Sequence, residues 1–146
     1  MKKKSSSNFA IRQFVSNDTN RVIFIWEQCD LVRNWNNPNF DIQRKLNFQK
    51  ELFFVGLLND EIIATAMFGY DGHRGWLNYF AVLPNFQKRG FGKQLMTFGE
   101  MALIEKGCPK LNLQIRNDNT KAINFYQKVG YKEDAAVSFG KRLIED

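Results

Sequence analysis

Metal chemistry has little to work with in this sequence. Its 146 residues hold one histidine, His73, and two cysteines, Cys29 and Cys108, which stand far apart and form no CxxC or Cys/His cluster. Neither a zinc site of ordinary ligand spacing nor a disulfide framework is indicated. Long apolar runs are missing too: none approaches the roughly 20 residues that cross a bilayer. The opening MKKKSSSNF lacks the apolar stretch and cleavage site of a signal peptide. A cytoplasmic protein without a membrane partner is the expectation. Charge of one sign is only modestly in excess. Net charge is +6, and taking away Lys2, Lys3 and Lys4 leaves +3, little for a nucleic-acid-binding surface. Those lysines stand among serines, so residues 1–8 read as a flexible basic tail.

What is present is core. A chain that is 44% hydrophobic and 14% aromatic suits one domain, over 9–146. FAIRQFV (9–15) reads as a first strand. SNDTN then offers caps for a helix with Val22, Ile25, Trp26 and Cys29 on one face. The Asn-rich stretch with Pro38 is a connection to a second helix carrying Ile42 and Leu46. LFFVGLL (52–58) and EIIATAMFGY (61–70) flank the turn residues Asn59 and Asp60 as an antiparallel hairpin. WLNYFAVL (76–83), almost continuously apolar, reads as a strand buried on both faces.

Pro84 ends that strand. A helix follows with Phe91, Leu95, Phe98 and Ala102 as its stripe, stopped by Gly107 and Pro109. LNLQIR (111–116) alternates as a half-buried strand. The next helix has Asp118 or Asn119 as cap, Ala122, Phe125, Tyr126 and Val129 as its face, and Gly130 after its end. YKEDAAVSFGKRLI suggests a last pair of strands. This order is α+β, with a mixed, mostly antiparallel sheet flanked by about four helices.

Between strand and helix stands LPNFQKRGFGKQLM (83–96), with glycines at 90 and 92 among cations. It resembles a phosphate grip, but not the two best known. A dinucleotide fingerprint needs glycine where Leu95 stands, and a Walker loop needs Ser or Thr where Gln94 follows Lys93. What is left is Gln87-x-x-Gly90-x-Gly92 opening a helix, whose amides suit an anion.

That motif, followed one helix and one strand later by Asn119-x-x-Ala122-x-x-Phe125-Tyr126-x-Lys128-x-Gly130-Tyr131, resembles the GCN5-related N-acetyltransferase (GNAT) family. The segments WEQCDLVRNWNNP and GYDGHRG further resemble small bacterial acetyltransferases of the YpeA type. The resemblance implies acetyl-CoA as co-substrate, with no metal. Its pyrophosphate would sit on the amides from Gln87 through Lys88, Arg89, Gly90 and Phe91 to Gly92. Phe80, Ala81 and Val82 would offer main-chain groups to the pantetheine arm, and Asn119 would contact the cofactor or simply cap its helix. Tyr126 matches the family's general acid, which protonates the departing thiolate; otherwise it is a core residue. Lys88, Arg89 and Lys93 add charge at the mouth or form a solvated face.

The base departs from the family pattern. Positions that carry glutamate in some members hold Trp76 and Asn78, or Gln114, none of which takes a proton at neutral pH. His73, Asp71, Asp30 and Glu27 are the remaining candidates, beside a water relay to solvent. Asn78, Gln114 and the 30–40 loop would then select the acceptor. Transfer of acetyl to a primary amine, of a small molecule or a protein, in a ternary complex is the expected function, and a homodimer is compatible with it. The alternatives are an acyl-CoA-binding module without turnover, or a basic nucleic-acid binder for which no recognisable motif exists.

Overall fold

Two left-handed residues close the central hairpin. Asn59 and Asp60 take φ of 50° and 71°, the pair of positive angles that a tight antiparallel turn needs. They join β2 (Phe53–Leu58) to β3 (Glu61–Tyr70). The computed structural model describes residues 8–146, so the basic tail expected over 1–8 falls, apart from Asn8, outside the described residues. The sheet has five strands in the order β1-β2-β3-β4-β5. β1 (Phe9–Gln13) and β2, β2 and β3, and β3 and β4 (Gly75–Val82) pair antiparallel, while β5 (Leu111–Leu113) runs parallel to β4. With helices α1 (Thr19–Gln28), α2 (Pro38–Leu46), α3 (Phe91–Glu105) and α4 (Thr120–Lys128), this is the α+β architecture the sequence implies. By contact density the chain divides into two compact units, one reaching through Leu113 and one from Gln114 onward.

β3, not β4, is the strand buried on both faces. Trp26 of α1 donates its Nε1–H to Thr65 at 2.9 Å, and Gly99 of α3 lies against the ring of Phe68. Residues 65 and 68 point to opposite sides of a strand. One helix therefore covers each face. Along β4, Trp76 and Asn78 are exposed, which corrects the expectation of a strand buried on both sides. Pro38 is likewise not in the connection but at the first position of α2, where its missing N–H and fixed φ are tolerated. Asn37 caps it by accepting from the Phe40 amide.

The stripe of α3 is rotated from the one expected. Phe91 and Leu95 are buried as read, but Met96, Gly99 and Leu103 complete the inner face, and Phe98 is 42% exposed at its rim. A methyl at Gly99 would stand 2.0 Å from the Phe68 ring. Two rigid elements meet there without slack. Gly99→Ala is therefore expected to cost about 3 kcal/mol of stability or more, read from the urea midpoint at constant slope.

Lys45 of α2 is buried, its Nζ donating to the Phe68 carbonyl and lying 5.9 Å from the Phe48 ring centre. Burial pulls its pKa from 10.5 down to about 8, with Glu51 opposing the shift. The unfolded chain keeps the ordinary value, so between about pH 8 and pH 10.5 it holds more protons than the fold. Stability accordingly rises with pH across that window. Below it the fold carries the whole burial cost, about 3 kcal/mol at ~1.36 kcal/mol per unit. Lys45→Met should exceed wild type at pH 7 by up to about that amount, and the gap should close as pH approaches the upper end of the window. Urea melts over that range measure it.

Two strand expectations fail. LNLQIR is paired only over Leu111–Leu113, and no strand forms over 131–146. Val137, Phe139, Leu143 and Ile144 are between 70% and 92% exposed, so the tail buries no face that would set a register. In the second unit, Asn119 caps α4 by accepting from the Ala122 amide at 3.1 Å. Gly130, with φ of 101°, ends it, its amide reaching the Gln127 carbonyl and that of Tyr131 reaching Tyr126. The apolar face read for this helix is half-buried throughout, none of its residues fully so.

Candidate active site

The site begins where β4 loses step with β3. Thr65 pairs with Ala81, yet Met67 pairs with Asn78, so β4 advances three residues where β3 advances two. The extra residue is a bulge, and Tyr79 within it has φ of 52°, a left-handed backbone rare for an aromatic residue. On its other side, β4 is laddered to β5 only from Gly75 to Leu77. The segment Phe80–Val82 lies beyond that ladder. Such a place can present main-chain groups to a ligand. Ala81 and Val82 are buried and Phe80 is half-buried, so side chains there shape the site only through bulk.

Beyond Val82 the chain makes a short turn over Pro84–Phe86 and then two left-handed steps, Lys88 with φ of 63° and Gly90 with φ of 87°. Gly90 is the N-cap of α3. It supplies no side chain to cap the helix, and the first turn holds no acidic residue. The amides of Phe91, Gly92 and Lys93 have no intrahelical acceptor by position, and the dipole of a 15-residue helix adds positive potential there. This is a fit for a phosphate. A Cβ at Gly90 would meet nothing within 4 Å, so glycine is needed at 90 for its backbone angle and not for want of space in the protein.

Gln87 has a positioning part. Its Nε2 donates to the Val82 carbonyl at 2.8 Å, which also accepts from the Cys29 thiol at 3.3 Å. The loop, the end of β4 and the end of α1 are thereby tied at one oxygen. Arg89 lies over the rings of Phe86 and Phe91, at 5.5 and 5.2 Å, so its charge is held near the helix start by cation–π contact. Phe91 itself is 4% exposed and stacks on Phe9 at 4.6 Å. Only its amide is left for a ligand. Lys88 and Lys93 are not buried.

The base candidates are not drawn together. Asp71 accepts from the amides of His73 and Arg74 through one oxygen and from Trp76 Nε1 through the other, and those bonds lower its pKa. It holds a turn. His73 is exposed in that turn, and Asp30 pairs with Arg33 at 2.8 Å. Glu27 and Asn78 are exposed.

A group that sequence reasoning passed over stands at the bulge. Tyr79 stacks on Trp26 at 3.8 Å, its carbonyl accepts from Thr65 Oγ1 at 2.9 Å, and its hydroxyl donates to Asp41 Oδ2 at 2.5 Å while accepting from Asn36 Nδ2. An apolar run gives no sign that one tyrosine in it is left-handed. The Asn-rich loop was the available signal, since side-chain amides there needed partners.

In the second unit, Gln114 Nε2 donates to Ser138 Oγ at 2.5 Å. Tyr126 is set edge-on to Phe125 and Tyr131, at 5.1 and 5.9 Å. Burial pushes its phenol well above the ordinary value of 10. The hydroxyl is then a neutral hydrogen-bond donor across the working pH range.

Among the described residues no helix is long and apolar enough to cross a membrane, and no group of three or more His, Cys, Asp or Glu could hold a metal ion. The sequence profile of the acetyltransferase (GNAT) family matches residues 20–131. An uncharacterized N-acetyltransferase of Yersinia pestis is 47% identical over 136 residues, covering 93% of this chain and 96% of that one. Among solved structures, Ard1 from Thermoplasma volcanium superposes with a TM-score of 0.78 at 23% identity, over 87% of this chain and 84% of that one. The aminoglycoside N-acetyltransferase AAC(6')-Iy, solved in complex with CoA, gives a TM-score of 0.73 at 20% identity over 94% and 97%.

Proposed function

Because this chain belongs to the GNAT family and is an N-acetyltransferase, we propose that it moves the acetyl group of acetyl-CoA to a primary amine by direct attack in a ternary complex. The family uses acetyl-CoA, and the observation that carries the reading here is the start of α3, where a left-handed glycine leaves the first-turn amides uncapped. Gln87 to Gly92 hold the pyrophosphate on those amides. Lys88, Arg89 and Lys93 add positive charge around it. Phe80, Ala81 and Val82, beyond the bulge, supply main-chain groups to the pantetheine arm and polarise the acetyl carbonyl with an amide.

The free amine attacks that carbonyl, and the carbon–sulfur bond breaks as the amide bond forms. The proton of the amine passes through water to solvent, since Asp71 and Asp30 are engaged elsewhere and His73 lies exposed in its turn. Tyr126 donates a hydrogen bond to the departing thiolate. Asn119 caps α4 and contacts the cofactor. The acceptor is a small-molecule or protein amine, selected by Asn78, Gln114 and the 30–40 loop. The tail 1–8 takes no part, and 9–146 act as one acetyltransferase domain in the cytoplasm.

Retention on a coenzyme A resin, followed by thiol release from acetyl-CoA with a panel of amines, tests the reading. Retention with amine-dependent thiol release is the expected result. Retention without release for any amine would sink transfer, and failure to bind the resin would sink the cofactor site.

A further inference from the structure

Tyr79 joins three parts of the first unit through three different groups. Its ring is stacked on the fully buried Trp26, 3.8 Å apart and 16° from parallel. Its carbonyl is held by Thr65, whose hydroxyl in turn accepts from Trp26. Its hydroxyl reaches out to Asn36 and Asp41. The first two contacts fix the residue against the core. The third fixes something else to it.

What the hydroxyl holds is the connection between α1 and α2. Asn36 accepts from the Arg33 amide at 2.7 Å and donates to the Leu31 carbonyl at 3.5 Å, so its side chain organises the loop from within. Asp41, in the first turns of α2, is also paired with Arg44 at 3.2 Å. One phenol oxygen thus closes a chain of bonds from the core to both ends of residues 31–41. The loop it anchors carries Trp35, which is 56% exposed and lies 5.8 Å from the Arg33 guanidinium carbon.

Why a left-handed aromatic residue should stand here follows from these bonds. Positive φ at a non-glycine position costs of the order of 1–2 kcal/mol and persists only where neighbours over-determine it. Three separate groups of Tyr79 are held, so it is over-determined. The bulge that re-aims Phe80 to Val82 and the pin that fixes the 31–37 loop are the same residue. The loop is thereby tied to the residue that directly precedes 80–82, the segment assigned to the acetyl carbonyl.

We infer that Tyr79 is a positioning residue for the acceptor amine, acting through Asn36 and Asp41 to fix the 31–37 loop beside the bulged part of β4. This rests on the acetyl-transfer reading for the amine, but the pin itself does not.

Tyr79→Phe keeps the ring, its stacking and the carbonyl contact while removing the hydroxyl. Hydrogen–deuterium exchange should speed up at least 10-fold in 31–37 and stay unchanged in β2 and β3. With the best amine of the panel, KM for the amine should rise about 10-fold, with kcat within about 3-fold of wild type and acetyl-CoA affinity within about 2-fold. Asn36→Ala should give the same split. Asp41→Asn, which keeps an oxygen for the hydroxyl to donate to, should restore most of the affinity lost in Asp41→Ala. Unchanged exchange in 31–37 would refute the pin, whether or not the wild-type protein turns over. Faster exchange with an unchanged amine KM would refute the role in acceptor positioning. A joint rise of both KM values with a lower melting temperature would make Tyr79 a stability residue only. Wild-type protein that releases no thiol with any amine would refute acetyl transfer, and the acceptor role with it, while the exchange result still decides the pin.

Discussion

Tyr126→Phe should lower turnover by about 100-fold while leaving melting temperature and acetyl-CoA affinity nearly unchanged. A positioned general acid is worth roughly 10²–10⁴-fold, and two considerations put this case at the lower end. A thiolate leaves without help more readily than an alkoxide. Burial also raises the phenol above its ordinary value of 10, further from a thiol near ~8.5. Outright proton transfer is then uphill. On the proposed reading, what the hydroxyl supplies is a hydrogen bond that strengthens as charge develops on sulfur. Phenylalanine keeps the edge-on contacts with Phe125 and Tyr131, so packing should not confound the comparison.

The same shift sets a pH signature. A donor that titrates well above 10 gives no falling limb in kcat/KM below about pH 10, and the rising limb should follow the ionisation of the amine itself. Thiol release from about pH 6 to about pH 10 with two amines of different basicity would check this. Equal rates for the wild-type enzyme and the Tyr126→Phe variant at equal stability would assign Tyr126 to packing alone.

The parts of the candidate site that are legible in the sequence are local ones. Gln87, Gly90 and Gly92 could be placed because a strand end, a left-handed step and a helix start all fall within a few residues, and Asn119 and Gly130 bound α4 for the same reason. The bulge was not legible. It exists only as a miscount between Thr65–Met67 and Asn78–Ala81, and a miscount needs a partner strand. Nothing in the sequence singles out Asn36 and Asp41, because the oxygen they share belongs to a residue more than thirty-five positions away. An apolar count misplaces the stripe of α3 because Gly99, its tightest contact, adds nothing to it. Alternation over 111–116 suggested a longer strand, since periodicity records which faces differ and not where pairing stops.

Gly90→Glu should weaken acetyl-CoA binding by roughly 100-fold or more while the apo fold persists. The substitution acts in two ways at one place. A carboxylate at the N-cap of α3 would fold back on the first-turn amides, which have no side-chain cap now, and so compete for the donors proposed to hold the pyrophosphate. It would also set like charge against phosphate. At about 4–6 Å and an effective dielectric near 20, that repulsion is about 3–4 kcal/mol, which already exceeds the ~2.7 kcal/mol of a 100-fold change. Backbone strain is a separate effect, because φ of 87° suits glycine and open space surrounds its Cβ position. Gly90→Ala isolates it: about 1–2 kcal/mol of stability should be lost, with affinity altered far less than in the glutamate variant. Calorimetric titration of acetyl-CoA into all three proteins, with their urea midpoints, separates the two effects. If the glutamate variant binds as wild type does, the anion is not held at the start of α3, and the assignment of Gln87 to Gly92 falls with it.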